Sequence, residues 1–224
     1  YEIPKRDWSS DVCSSDLASD RALVQSWLSK SLVKRGVWGS GLDTLHGRLR
    51  QCIKTHGDSG FPVVEIEAEM ANMGKSLRFE STEINELLDL EYGKKRTFAV
   101  LAMLYPGLDL TKSHHVDHIF PRSRFYRKRL AQAGVPADQI DDFVSRADGI
   151  ANLQLLPGLP NIEKQDKMPV DWLNGPHFVS EPKRTQYVLD NDLDGLPESM
   201  LGFLEFYEGR RRRLEARMVN ILGS

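Results

Sequence analysis

The chain has 224 residues, of which 40% are hydrophobic and 28% charged, the composition of an ordinary globular protein long enough to bury a core. Two cysteines are too few for a four-cysteine zinc site, and no apolar run approaches the roughly 18 residues of a membrane-spanning helix, so a membrane protein is excluded. Because 30 basic and 32 acidic residues nearly cancel, any affinity for nucleic acid must come from a local patch.

The first 17 residues lack the pattern of a folded segment. Asp7–Leu17 has no hydrophobic periodicity and resembles the translation of a common sequencing adapter. We therefore expect residues 1–17 to be a non-native assembly scar, and the rest to be the C-terminal fragment of a longer protein.

Residues 18–94 are predicted to form a helical region, because their apolar residues recur at helical spacing. Asp20 is a candidate N-cap for the first helix, and Gly93 ends the last one in this region. An apolar helix follows and ends before Pro106. The predicted helical segments are 20–35, 42–55, 62–73, 81–92 and 94–105.

The pattern changes at Ser113, where short alternating segments replace the helices. His114–Pro121 and Ile150–Leu156 are predicted to be strands. A tight turn over 157–160 should precede a short helix that begins at Asn161. The other predicted segments are basic and mixed helices at 123–133 and 136–146, a loop-rich stretch at 174–197, and a long final helix at 197–222.

Polar residues on these elements form a candidate hydrolytic site. Asp117 and His118 are adjacent, and neighbours on an extended strand point to opposite sides, so one can bind a metal while the other faces an attacking water. Asn161 could complete the metal site with its amide oxygen. Carboxylate and amide oxygens suit Mg²⁺, and an imidazole suits general-base work near neutral pH.

The order of these motifs resembles an HNH endonuclease, most closely the C-terminal nuclease domain of GmrSD-type modification-dependent restriction enzymes. The resemblance is carried by His115–Ser123, Asn152–Leu156 and Asn161–Lys164. It implies a mainly α fold with a small β-hairpin, in which helices flank a ββα-metal core of the HNH or His-Me finger type. The core would occupy 95–175, and residues 176–224 would form a loop and a C-terminal helix packed on it.

The resemblance also implies a role for each matching residue. Asp117 and Asn161 match the metal ligands, and His118 matches the general base. Asn152 matches the asparagine that holds the loop bearing the base, and Lys164 matches a basic residue near the phosphate. The implied cofactor is a divalent metal, with Mg²⁺ favoured.

His115 leaves the choice of metal open. It lies two residues before Asp117, on the same side of the strand, and is a candidate third ligand. A histidine ligand would favour Mn²⁺ or another transition metal over Mg²⁺. The alternative is a histidine that hydrogen-bonds the loop.

Basic residues after the first strand are candidates for DNA contact. Six basic residues and one acidic residue lie between Lys112 and Ala133. Such a patch would neutralise phosphates regardless of sequence. The run Arg210–Arg213 could add a second contact or form a solvated helix face. The candidate DNA-binding residues are Arg122, Arg124, Arg127, Lys128 and Arg129.

These features predict a metal-dependent DNA endonuclease domain. The resemblance implies a phage-defence enzyme in the cytoplasm of a bacterium or archaeon. Its partners would be DNA, including modified phage DNA, and a missing N-terminal nucleotide-binding sensor domain. Two alternatives remain: a catalytically silent nucleic-acid-binding module on the same fold, and an all-helical interaction domain in which the motif is accidental.

Overall fold

The structure is a computed structural model that describes residues 14–105, 107–109 and 111–223. The described residues are mainly helical and contain one two-stranded antiparallel sheet, which confirms the expected class. None of the helices described is both long and apolar enough to cross a bilayer. The strands are β1 (His114–His118) and β2 (Leu153–Pro157). The helices are α1 (Ser14–Val33), α2 (Leu42–His56), α3 (Val63–Asn72), α4 (Ser81–Leu88), α5 (Thr97–Leu104), α6 (Arg127–Gln132), α7 (Ile140–Arg146), α8 (Gly158–Lys164), α9 (Pro169–Leu173), α10 (Glu181–Asp190) and α11 (Phe203–Leu222).

Two compact units divide the chain, Tyr1–Leu77 and Arg78–Ser224. In the first, α2 packs on α3 through a buried apolar cluster that includes Leu45 and Met70. The expected scar lies outside the described residues up to position 13. Because α1 already begins at Ser14, Asp20 is not an N-cap, and its carboxylate instead accepts a hydrogen bond from the Phe61 amide at 3.0 Å.

The second unit is built around α11. Phe203 at the start of this helix is fully buried. The centroid of its ring lies 5.3 Å from that of Phe120, 4.7 Å from that of Phe125 and 5.5 Å from that of Phe143. Those three rings come from the segment after β1 and from α7. The final helix therefore fixes the residues that connect the two strands.

Arg210 also ties α11 to the beginning of β2. Its side chain is fully buried, and its guanidinium donates to the carbonyl oxygens of Ala151 at 2.9 Å and Leu153 at 2.8 Å, and to the hydroxyl of Tyr105 at 3.0 Å. The guanidinium thus satisfies carbonyls that would otherwise be buried without a partner. Both functions considered for Arg210 from the sequence, DNA contact and a solvated face, are therefore wrong.

Several element boundaries differ from the prediction. Tyr126 adopts an extended backbone conformation, so the basic segment divides into a 3₁₀ turn at Arg122–Phe125 and α6. The second strand begins only at Leu153, after a 3₁₀ turn over Ile150–Asn152. In place of the expected tight turn at 157–160, α8 begins directly at Gly158.

The loop predicted at 174–197 contains α10, which the sequence analysis missed. Pro182 suggested a loop, yet it lies in the first turn of this helix. A proline is tolerated there because the first backbone amides of a helix have no intrahelical acceptor. The same reason accounts for Pro160, the third residue of α8.

Candidate functional site

The candidate site is formed by β1, β2 and α8, which follows β2 without a loop. The strands pair antiparallel, with Asp117 opposite Gln154 and His118 opposite Leu153. Helix α8 packs against both strands. The side chain of Asp117 is contacted by side chains from β2 and α8, whereas the imidazole of His118 is contacted by Asp148 and Tyr92 from other segments, as the alternation of side chains along a strand predicts.

Asp117 is held by two donors on the same carboxylate oxygen. Its Oδ2 accepts hydrogen bonds from Gln154 Nε2 at 3.0 Å and from Lys164 Nζ at 3.0 Å. The Gln154 amide is oriented in turn by the hydroxyl of Tyr187, which donates to its Oε1 at 2.7 Å. Within the described chain Oδ1 has no partner, so this oxygen remains available to a ligand.

Lys164 is a buried charge with two acceptors. Its side chain is 1% exposed, and its ammonium donates to Asp117 and to the backbone oxygen of His118 at 2.5 Å. Burial lowers the pKa of Lys164, and the charge of Asp117 partly opposes this shift. Lys164 therefore joins α8 to β1. The sequence predicted a position near a phosphate and did not predict this structural contact.

His118 contacts an acidic residue that the sequence analysis did not select. Its Nε2 lies 2.8 Å from Oδ1 of Asp148, and Oδ2 of the same carboxylate lies 3.1 Å from the Arg122 guanidinium. The ring of Tyr92 lies against the imidazole, with 4.7 Å between ring centroids. The side chain of His118 is 12% exposed, and Nδ1 has no polar partner among the residues described.

Asn152 fixes the chain immediately after His118. It is fully buried; its Nδ2 donates to the carbonyls of Phe120 at 3.1 Å and Ala147 at 2.8 Å, and its Oδ1 accepts from the Phe120 amide at 2.9 Å. Its backbone oxygen accepts from the Ile119 amide at 2.8 Å. Asn152 therefore holds the backbone of residues 119–120, and its role beside a catalytic base stays a prediction.

Asn161 does not begin its helix as expected but is the fourth residue of α8. Its place on the helix follows from its neighbours one turn away. A Cβ built on Gly158 would lie 3.9 Å from His115 Nε2, and Lys164 contacts Asp117. Because residues three apart share a helix face, Asn161 lies on the face directed toward β1, between these two contacts.

Oxygen atoms of Asp117 and Asn161 are candidate ligands for a divalent cation. Oδ1 of Asp117 and the amide of Asn161 have no hydrogen-bond partner within the described chain. Carboxylate and amide oxygens are ligands that suit Mg²⁺. The described residues contain no group of three or more histidine, cysteine and acidic side chains that could hold a metal ion, so His115 and Asp117 do not belong to such a group.

The candidate DNA-binding residues are unequal in their freedom to contact a ligand. Lys128 is exposed and has no polar partner within the part of the chain described. Arg127 pairs with Asp141, and Arg129 donates to a nearby carbonyl. Arg124 is half-buried, and Arg122 is engaged with Asp148.

Four residues near the site were missed by the sequence analysis. Gln154 is a polar residue within the predicted apolar second strand, and the antiparallel register that sets it opposite Asp117 puts both side chains on the same side of the sheet. No sequence pattern indicated the other three residues, because they reach the site from separate segments of the chain. They are Asp148, Tyr92 and Tyr187.

Comparison with known proteins does not supply a relative. A scan of the chain against models of known protein families returns no match, and a search among curated proteins also returns none. The motif and the geometry of the residues are therefore the support for a function.

Proposed function

We propose that the second compact unit is a metal-dependent DNA endonuclease of the HNH class, with β1, β2 and α8 as its ββα-metal core. The observation that carries the proposal is the placement of Asp117 and His118. Asp117 contacts Lys164 on α8, the helix that also bears Asn161. His118 contacts Asp148 through Nε2, and its Nδ1 has no polar partner among the described residues. Metal-assisted phosphodiester hydrolysis uses a metal ligand and a base at one site, and these two adjacent residues would supply both.

The ligands of the cation would be Asp117 Oδ1 and the amide oxygen of Asn161, with Mg²⁺ favoured and Mn²⁺ or another transition metal as the alternative if His115 also binds. A bound cation neutralises charge on the scissile phosphate and on the leaving oxygen. Lys164 and Gln154 both donate to Oδ2, which leaves Oδ1 as the carboxylate oxygen without a partner among the described residues.

His118 is the proposed general base. Its Nε2 is already bonded to Asp148, so Nδ1 is the nitrogen that accepts the proton of the attacking water. Asn152 keeps the backbone after the imidazole in place through the bonds to Phe120. The ring therefore holds its orientation while the proton is transferred.

DNA is the proposed substrate, because exposed basic side chains lie on α6, which follows β1 along the chain. Lys128, Arg127 and Arg129 would bind phosphates on either side of the cut, and such contacts are independent of sequence. By resemblance we further propose that the domain serves a bacterial or archaeal defence enzyme. Such an enzyme works in the cytoplasm on modified phage DNA, under the control of an N-terminal nucleotide-binding sensor domain.

The experiment is plasmid cleavage in Mg²⁺ or Mn²⁺ by the wild type, by His118→Ala and by a matched control, His114→Ala. His114 is a histidine of the same strand whose Nδ1 bonds the Lys112 carbonyl at 2.9 Å. We expect metal-dependent cutting by the wild type and the control, and a loss of about 100-fold or more in His118→Ala. Equal cutting by all three proteins would refute the role of His118.

A catalytically silent nucleic-acid-binding module is the second candidate. It is favoured by the engagement of both chemical groups within the chain, Asp117 with Lys164 and His118 with Asp148. This candidate predicts DNA binding that weakens with salt, without metal-dependent cutting by the wild type. Cutting by the wild type that is lost in His118→Ala would exclude it.

A further inference from the structure

Asp148 connects the proposed base to an arginine. Its Oδ1 lies 2.8 Å from His118 Nε2 and its Oδ2 lies 3.1 Å from Nη2 of Arg122. We propose that Asp148 is a positioning residue that fixes the tautomer of His118, an inference that rests on the proposed nuclease function. Arg122 then orients the Asp148 carboxylate, in addition to any contact that it makes with a phosphate.

The carboxylate is held at a defined place by its own backbone. The carbonyl oxygen of Asp148 accepts a hydrogen bond from the Tyr92 amide at 2.7 Å, and the next residues continue this pairing, with the Ile150 amide donating to the Leu90 carbonyl at 2.8 Å. The same short segment places the Tyr92 ring against His118, 4.7 Å between centroids. The imidazole is thus confined by a ring on its face and a carboxylate at its edge.

The donors and acceptors of this group determine where the proton of the imidazole lies. A guanidinium can only donate, and a carboxylate can only accept. Asp148 therefore accepts from Arg122 on one side and from His118 on the other, which requires the hydrogen on Nε2. The neutral ring then has its lone pair on Nδ1, the nitrogen that has no polar partner among the described residues.

An amide in place of the carboxylate would reverse this arrangement. In the Asp148→Asn variant, an amide NH₂ facing the Arg122 guanidinium would set two donors against each other, so the amide oxygen turns to the guanidinium and the amide NH₂ turns to His118. A donor facing Nε2 requires a lone pair there, so the proton moves to Nδ1 and the base is lost. The Asp148→Ala variant imposes neither tautomer, so its defect should be smaller.

Cleavage kinetics of the full chain test this order. We expect Asp148→Asn to lower kcat by about 100-fold or more, and Asp148→Ala by about tenfold, with KM for DNA little changed in both. Adding Arg122→Ala to Asp148→Asn frees the amide to turn its oxygen toward His118, so kcat should rise relative to Asp148→Asn alone. Asp138→Asn makes the same substitution at an exposed position and should leave kcat unchanged.

The tautomer itself is read from ¹H–¹⁵N correlation spectra of the histidine rings, with the His118 signals assigned by their loss in His118→Ala. We expect the proton on Nε2 in the wild type and on Nδ1 in Asp148→Asn. Identical tautomers in the two proteins, or full kcat in Asp148→Asn beside an active wild type, would overturn the positioning role. An inactive wild type would instead overturn the proposed nuclease function, whichever tautomer the spectra show.

Discussion

The ion pair between Lys164 and Asp117 joins α8 to the sheet, and its removal should destabilise the second unit. The Lys164→Met variant keeps the length of the side chain but deletes the ammonium. Asp117, only 13% exposed, would then retain a single donor, Gln154. The variant therefore leaves a buried carboxylate without its counter-charge.

The size of the effect follows from the geometry. At the observed 3.0 Å, and with an effective dielectric constant of about 20, the attraction is about 5.5 kcal/mol. Desolvation of the buried ammonium offsets part of this, as its lowered pKa indicates. We therefore expect Lys164→Met to lower the free energy of unfolding by about 3 kcal/mol. Asp117→Asn should lower it by a similar amount, because it leaves the ammonium unpaired.

A double-mutant cycle separates the pair from its surroundings. When both charges are removed, neither is left buried alone, so the double variant should be about 2 kcal/mol more stable than the sum of the single losses implies. The assay is urea unfolding followed through amide signals of residues 153–164, which report on the second unit. Lys167→Met is the matched control, since Lys167 is exposed and donates only to the Glu163 carbonyl. A loss in Lys164→Met as small as in this control, or strictly additive losses, would refute the reasoning.

Two further predictions concern the same unit. Arg210→Leu should lower the free energy of unfolding by at least about 4 kcal/mol, because several buried carbonyls lose their donor. Its control is Arg212→Leu on the exposed face of α11, which should change the free energy of unfolding by less than about 0.5 kcal/mol. Equal urea midpoints for the two variants would contradict the structural role of Arg210. In plasmid cleavage, Asp117→Ala should lower activity more than Lys164→Ala, since the former removes a proposed metal ligand and the latter only a partner of that ligand. A larger loss of cleavage activity in Lys164→Ala than in Asp117→Ala would contradict these roles.

Local sequence patterns predict the elements around the site because they report the period of the backbone. Alternation over His114–His118 predicts the first strand and the opposite directions of Asp117 and His118, and apolar spacing predicts helices such as α2 at nearly its observed bounds. Prolines misled the prediction in one consistent way. Pro160 and Pro182 suggested a turn and a loop, whereas both lie in the first turn of a helix.

The partners of the site residues could not be predicted, since they depend on contacts distant in sequence. Lys164 reaches Asp117 across 47 positions, and Asp148 meets His118 across 30. In the run Arg210–Arg213 the apolar spacing of the final helix could have indicated the buried arginine, because Arg210 lies on the same face as Phe203 and Leu214. The carbonyls that Arg210 binds could not be predicted, since they belong to a segment about 60 positions earlier.

The contacts that determine the fold of the second unit also place the chemical groups. Arg210 binds the carbonyls at the start of β2, Asn152 binds the backbone after β1, and Lys164 binds both Asp117 and the carbonyl of His118. All three are fully or almost fully buried polar side chains, and each donates to backbone or carboxylate oxygens near the proposed base and metal ligand. Burying such groups without partners would be costly, so each constrains its neighbours to one geometry. The backbone that carries Asp117 and His118 is therefore held in one geometry. The exposed side chains of the site are the ones that remain available to a substrate.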